Sequence, residues 1–390
     1  SRPTMVWLRN HGIRFIPMFG RQSFMVDGKH HFYGGVNIEA VGGGSGLVEA
    51  EIRRALQIGC EIRYDTAATR LIQDKNKKIT GLEISSPDGI ETINARSIVL
   101  ACGGFESNPE MRARYLGPGW DLARVRGTKH NMGDGIKMAI DIGARAYGNW
   151  SGCHSVGWDI SAPEYGDYEV LDNFQKHSYP WGIMVNTDGN RFVDEGEDLR
   201  NHTYVKFGRE IMKQPNRTAI QIFDQKTIPL LRDEYRIRQV TKVSGNTIAE
   251  LAQELEINVS ALTKTIDEFN AACKPGNFNP SILDGVATTG LNPNKTNWAL
   301  PVDEPPFEAF ITTTGVTFTF GGLKVDEKGS VLDNNDRSIS GLFAAGELVG
   351  GLFYENYPGG SGLMAGAVYG KIAGENAASH AIGNSKDTSH

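Results

Sequence analysis

The apolar positions of this chain switch repeatedly between helical spacing and short unbroken runs, an order that predicts helices and strands taking turns. In the first 45 residues the segments HGIRFIPM and HHFYGGVNI read as strand edges, and they lead into a glycine-rich stretch at 41–46. Leu47, Ile52, Ala55, Leu56 and Ile58 then keep helical spacing, Gly59 stops the helix, and residues 60–65 read as the next strand. Residues 81–85 and 91–95 flank the Pro87-Asp88-Gly89 turn as a hairpin. Residues 97–105 read as a buried strand ending in Gly103-Gly104, and Gly133-Asp134-Gly135 opens a helix.

Farther along, the pattern becomes more aromatic and irregular, with Trp158, Tyr165, Tyr168, Phe174, Tyr179 and Trp181. Residues 247–255 and 259–273 are amphipathic helices, the second carrying Leu262, Ile266 and Phe269 on one face. Strand character returns at Phe310. Leu342 to Ala345 form a buried run that enters a glycine-dense loop and then a helix beginning near Ser361. Glycines there let the backbone approach a ligand, and the helix N-terminus offers amides to an electron-rich oxygen. Packing of a helix closely on a sheet is the competing reading of the same glycines.

Composition narrows the function. A chain of 390 residues with 47 glycines suits an α/β protein with many tight turns, and a net charge of −6 argues against nucleic acid as a partner. No apolar run is long enough to span a bilayer. Cys60, Cys102, Cys153 and Cys273 are scattered, with no C-x-x-C pair, so neither a metal site nor a disulfide framework is expected. The start carries no signal-peptide pattern, Ser1 is not an initiator methionine, and a cytoplasmic chain that begins in the middle is the expectation.

The wording GLFAAGE, followed by YENYPGGSGLMAGAVYGKIAG, resembles the C-terminal flavin motif of the fumarate reductase/succinate dehydrogenase flavoprotein family. Within it, YENYPGGSGL is most similar to the branch holding tricarballylate dehydrogenase and a flavoprotein of cobalamin biosynthesis. The resemblance covers residues 40–380 and implies an FAD-binding domain at 1–149 and 320–382, an α+β capping domain at 150–319, and a tail at 383–390. The family's opening βαβ unit, with its G-x-G-x-x-G, is not found, so a partial Rossmann-like domain and weak FAD binding are expected.

The resemblance also implies site residues. Ala101, Gly103, Gly104, Asp134, Gly346, Glu347, Ser361, Gly362 and Leu363 fall at flavin-binding positions. Arg200, after the segment NRFVDE, is implied as the proton-handling group, with Glu195, Glu197 or Asp198 as carboxylate neighbours; a solvated charged turn is the competing reading. His154 is implied as a substrate-carboxylate ligand, Thr317, Tyr357 and Gly360 as further substrate contacts, and Tyr357 also as a catalytic candidate. His177 and Tyr179 stand near the family's proton-relay positions. Two charged groups of the family are missing: no histidine precedes Gly321-Gly322-Leu323, and Asn356-Tyr357 stands where a second arginine is usual. The implied reaction is FAD-dependent dehydrogenation of a C–C bond beside a carboxylate, such as tricarballylate to cis-aconitate, with a protein or quinone-linked electron acceptor. A 3-ketosteroid, a corrinoid precursor or fumarate/succinate is the alternative substrate, and a non-catalytic binding fragment is the alternative of another class.

Overall fold

The computed structural model describes residues 1–26, 28–32 and 36–383. Helix α1 (Arg2–Asn10) carries Pro3 in its first turn, where an amide would have no helical acceptor. Short elements follow: β1 (Phe15–Pro17), α2 (Phe19–Gln22), β2 (Ser23–Val26), β3 (Lys29–Phe32) and β4 (Ile38–Ala40). The strand edges expected here are present, β1 pairing β4 and β2 pairing β3, while residues 33–35 of the second expected segment lie outside the described residues.

Helix α3 (Gly43–Gln57) starts earlier than its apolar spacing suggests, taking in the glycine run. It buries no side chain completely, and Val48, Leu56 and Ile58 stay more than half exposed, so its apolar stripe is not a core stripe. The strand expected at 60–65 does not form. Arg63 bonds to Glu61 and Glu91 there, and Asp65 takes a φ of +51°, which breaks an extended run. The strand starts instead at β5 (Ala67–Gln73), which joins β6 (Ile79–Ser86) and β7 (Gly89–Asn94) in a three-stranded antiparallel sheet containing the expected hairpin.

The buried strand expected at 97–105 is shorter and more open than its sequence suggests. It is β8 (Ile98–Leu100), with Val99 37% exposed and Ala101 and Cys102 exposed beyond it. Then come α4 (Pro109–Met111), β9 (Arg124–Val125), α5 (Asp134–Asp141) and β10 (Ala146–Tyr147).

A six-stranded sheet is built from the middle of the chain. Its members are β9, β11 (Cys153–Asp159), β12 (Ile183–Asn186), β13 (Ala219–Phe223), β14 (Lys242–Gly245) and the 13-residue β15 (Phe307–Thr319). One face is covered by α6 (Arg200–Met212), which comes close enough at Gly208 that a Cβ would lie 2.3 Å from the Ser155 carbonyl carbon. The other is covered by α7 (Ile248–Glu254) and α8 (Val259–Ala272), capped by the Thr247 and Asn258 side chains. Leu251, Leu262, Ile266 and Phe269 of these helices pack on Ile183, Val185, Ile220 and Ile222.

The chain then makes β16 (Gly322–Leu323), β17 (Ser330–Leu332), β18 (Ser338–Ala344) and α9 (Ser361–Gly383). β18 pairs β8 in parallel, Leu342 against Ile98 and Ala344 against Leu100, so residues more than 240 apart end side by side. Ala373 and Ala377 of α9 pack on Phe343 and Ala345, while Ile136, Met138, Leu100, Leu342 and Leu348 fill the opposite side. The architecture is α/β.

Two strands pass between these bodies next to each other. β10 pairs β16, and the Phe320 amide donates to the Gly152 carbonyl at 3.0 Å. β15 thus runs unbroken from the six-stranded sheet to Thr319, beside the end of β18.

Candidate active site

The ends of β8 and β18 meet the start of α5 and of α9 in one glycine-lined concavity. Gly103 has a φ of +76° and lies against the Asn131 side chain. A Cβ on Gly104 would fall 2.1 Å from Thr319 Oγ1 and 2.2 Å from Glu347 Oε1, so glycine is required there. The Glu347 carboxyl accepts from the Thr319 amide at 2.6 Å and from its hydroxyl at 3.1 Å. Burial, and then the neighbouring Glu106 carboxyl, push Glu347 well above the usual carboxylate range.

The other residues expected here surround that carboxyl. Ala101 is exposed. Asp134 opens α5, exposed and paired at 3.7 Å with Lys137 of the same turn. Gly346 and Gly360 both have φ +81° with open space where a Cβ would be. Ser361 Oγ donates to the Pro358 carbonyl, the Gly362 amide donates to Tyr357 Oη at 2.8 Å, and Leu363 is 72% exposed. A flat ring system needs such a surface: backbone without side chains, an amide-bearing helix start and a carboxyl for a hydroxyl partner.

Above this concavity, on the side of the six-stranded sheet, the polar candidates gather around a row of rings. His154 on β11 is 4% exposed, stacks on Tyr357 with centroids 4.3 Å apart and planes 5° off parallel, and meets Tyr204 edge-on at 5.2 Å. Neither of its ring nitrogens has a hydrogen-bond partner among the described residues. Burial, helped by the positive charge of Arg126, holds its pKa well below the ordinary histidine range, so the ring is neutral at pH 7.

Arg200 is the first residue of α6, and four residues later Tyr204 takes its guanidinium over its ring, 5.4 Å from the centroid. Arg200 Nη1 is 3.4 Å from His177 Nδ1, and Nη2 has no hydrogen-bond partner among the described residues. Burial first, and Arg232 second, lower its pKa to about 9. This is not the expected carboxylate environment. Glu195 is bound by Arg191 and the Met184 amide, Glu197 by Lys206, and Asp198 by His202 and the Leu199 amide. The acid that acts on Arg200 is Glu234, fully buried beside Arg232 at 3.0 Å. A cavity lined by His177, Trp181, Arg200, Arg232, Pro280 and Trp298 lies behind the guanidinium.

Tyr179 is buried behind the polar row, its hydroxyl 2.7 Å from Thr203 Oγ1 and its ring on Phe207, and it and Arg200 act on each other electrostatically. Asn356 donates to the His202 carbonyl at 2.7 Å, tying the loop before α9 to α6. Sequence reasoning missed two members of the site. Tyr204 could have been found from its spacing of four from Arg200 on a helix. Arg126 could not, because the strand that positions it is 190 residues away: its amide donates to the Val316 carbonyl at 2.7 Å, and its Nη1 reaches Thr317 Oγ1 at 3.4 Å.

A family model described as FAD binding domain matches residues 4–363 of the chain. The protein named "Probable fumarate reductase Ifc3" of Shewanella frigidimarina is 29% identical over 96% of this chain and 59% of its own length. The NADH:acrylate oxidoreductase of Vibrio harveyi is 32% identical over 80% of this chain and 30% of its own. The chain therefore spans well under two thirds of either relative. Among solved structures, the open conformation of a flavocytochrome c3 fumarate reductase superposes with a TM-score of 0.71, at 26% identity, over 97% of this chain and 62% of the other.

Proposed function

Because the chain belongs to the FAD-binding flavoprotein family to which fumarate reductases also belong, we propose that it is part of an enzyme transferring hydrogen to or from a C–C bond next to a carboxylate. Residues 150–319 form its cap in this reading, and the concavity under them holds FAD. Gly103, Gly104, Gly346 and Gly360 supply bare backbone, Ala101 and Asp134 flank it, Glu347 offers a hydroxyl partner, and Ser361 to Leu363 open α9 at its edge, the Ser361 and Gly362 amides being taken by the Pro358 carbonyl and Tyr357 Oη. When bound, FAD accepts or returns the hydride.

The chain's own residues handle the rest. His154 and Tyr357 hold the substrate under the cap by hydrogen bonds, as neutral groups, with Thr317 and Gly360 beside them. Arg200 holds the proton that leaves or joins the carbon next to the hydride-bearing one. The observation that carries this role is the burial of its guanidinium against Tyr204, with one nitrogen unpartnered and the pKa at about 9. At that value roughly one molecule in a hundred is neutral at pH 7, enough for a base, while the protonated form is ready to act as an acid. His177, in contact with Arg200, is the next group on the proton's way out.

A polycarboxylate such as tricarballylate is the substrate we favour, with electrons passing on to a separate protein or a quinone. The buried cations support an anion over a neutral steroid. The test is anaerobic mixing of FAD-loaded protein with tricarballylate, succinate and a 3-ketosteroid, followed at the flavin absorbance. Bleaching by a carboxylate supports the reading; bleaching by the steroid alone, or by none of the three in a fully flavinylated sample, overturns it.

A further inference from the structure

The loop before α9 leaves the pocket without a cation of its own, since Asn356 is spent on the His202 carbonyl and Tyr357 is stacked on His154. A charge nevertheless reaches the same rings from the opposite edge of the sheet. Arg126 follows β9, the strand that adds in parallel to β15, with Arg124 beside Gly315 and Val125 beside Val316. Thr317 is next along β15, and Phe318 after it faces His154 across the sheet. The guanidinium acts on the His154 ring and on the hydroxyls of Tyr204 and Tyr357, and Arg200 acts on the same Tyr204 hydroxyl. Geometrically, Arg126 reaches Thr317, one residue before the strand partner of His154, and Arg200 lies over the Tyr204 ring.

Arg126 is only 17% exposed and is paired with Asp172 at 2.7 Å, the carboxylate being 35% exposed. Its ring contact is Trp158, 5.9 Å from the guanidinium carbon. A guanidinium has five donors, and among the described residues one short bond goes to Asp172 and one long one, 3.4 Å, to Thr317. This is the arrangement of a fork held in place by a partner that a stronger one can replace. A substrate carboxylate can be bound bidentately, whereas Asp172 is met through a single nitrogen.

We propose that Arg126 is a specificity-determining residue that binds a second carboxylate of the substrate, with Asp172 as the counter-ion which that carboxylate displaces. Resting on the function proposed above, this assigns the substrate class: a molecule with at least two carboxylates, one near His154 and Arg200 and another at the Arg126 edge. Arg126 replaces in space the cation that the loop at 356–357 does not provide. Its planar fork, not its charge alone, is what matters, so lysine is a poor substitute.

Calorimetric titration of the FAD-loaded protein with butyrate, succinate and tricarballylate tests it, with flavin content measured for every variant. Arg126→Gln should weaken succinate and tricarballylate at least tenfold and change butyrate by less than twofold. Arg126→Lys should lie between. Asp172→Asn should keep or tighten polycarboxylate binding, because it removes the competitor and leaves the fork. The proposal is overturned if Arg126→Gln binds succinate as the parent does, if the parent prefers butyrate, or if Asp172→Asn loses all three ligands as Arg126→Gln does, which would make the pair purely structural. Flavin bleaching in the same samples separates the two readings. Arg126-dependent binding without bleaching overturns the redox function and leaves the anion site standing; bleaching by succinate with unchanged KM in Arg126→Gln does the reverse.

Discussion

The Glu347 carboxyl, held by the Thr319 amide against Gly104, lies close enough to the Glu106 carboxyl for the two to titrate together, and burial pushes both above the ordinary carboxylate range. Two such groups cannot both ionise cheaply, so they retain a proton between them. The folded protein then binds more protons than the unfolded chain above the unfolded carboxylate range. The stability the pair contributes is complete at low pH and is lost as pH rises through the raised values. Glu347→Gln should flatten that dependence and stabilise the flavin-free protein at pH 8. Urea melts of both proteins at pH 5 and pH 8 check it; a parent as sensitive to pH as the variant counts against the shared proton.

Gly104→Ala should remove FAD binding while leaving most of the fold. The new methyl meets Thr319 and Glu347 at about half a normal contact distance, and both line the concavity proposed to hold the flavin. Glu347→Ala should also lower flavin occupancy, by leaving a ligand hydroxyl without its acceptor. The absorbance ratio of flavin to protein after saturation and gel filtration measures both. Full occupancy in either variant would move the cofactor away from this carboxyl.

Dehydrogenation should rise with pH towards about 9 and reduction should fall over the same range, because one needs the neutral and the other the protonated form of Arg200. Arg200→Ala should reduce both directions by at least a thousandfold, and Arg200→Lys should be badly impaired because the planar fork is lost. Single-turnover rates against pH decide it. A flat profile in the parent, or near-parental rates in Arg200→Ala, would hand the proton to His177 or Tyr357.

His154→Ala should raise KM more than it lowers kcat, since a neutral imidazole offers a hydrogen bond of similar strength to substrate and transition state. The KM of the parent should show no inflection between pH 6 and 8 from this ring. An imidazole titration in that window, by NMR of the flavin-free protein, would contradict the neutral assignment.

Much of this was legible in the chain, and the misses share a cause. The apolar runs that become β8 and β18, the helix after Gly133 and the long helix from Ser361 follow from local pattern: apolar runs that end at glycines. The strand missing at 60–65 had the composition of a strand but no partner, and pairing is settled by distant residues. The exposed stripe of α3 shows the same limit from the other side, since helical spacing marks a helix and says nothing of what covers it. The motif singles out Arg200 but not its electrostatic setting, because the acids written next to it are bonded elsewhere and the carboxylate that acts on it, Glu234, is 34 residues on. Arg126 carries no local signal at all.

The paired crossing at Gly152 and Phe320 leaves no room for side chains. Cβ atoms at Gly148, Gly152, Gly321 and Gly322 would meet their nearest neighbouring atoms at 2.3 to 2.7 Å. His154 is two residues on from Gly152, and its ring is stacked on Tyr357, while Asn356 and Arg209 tie the loop before α9 to α6. A single added methyl at the crossing would therefore shift the strand that carries His154, and with it the stacked rings, without altering any side chain of the site itself.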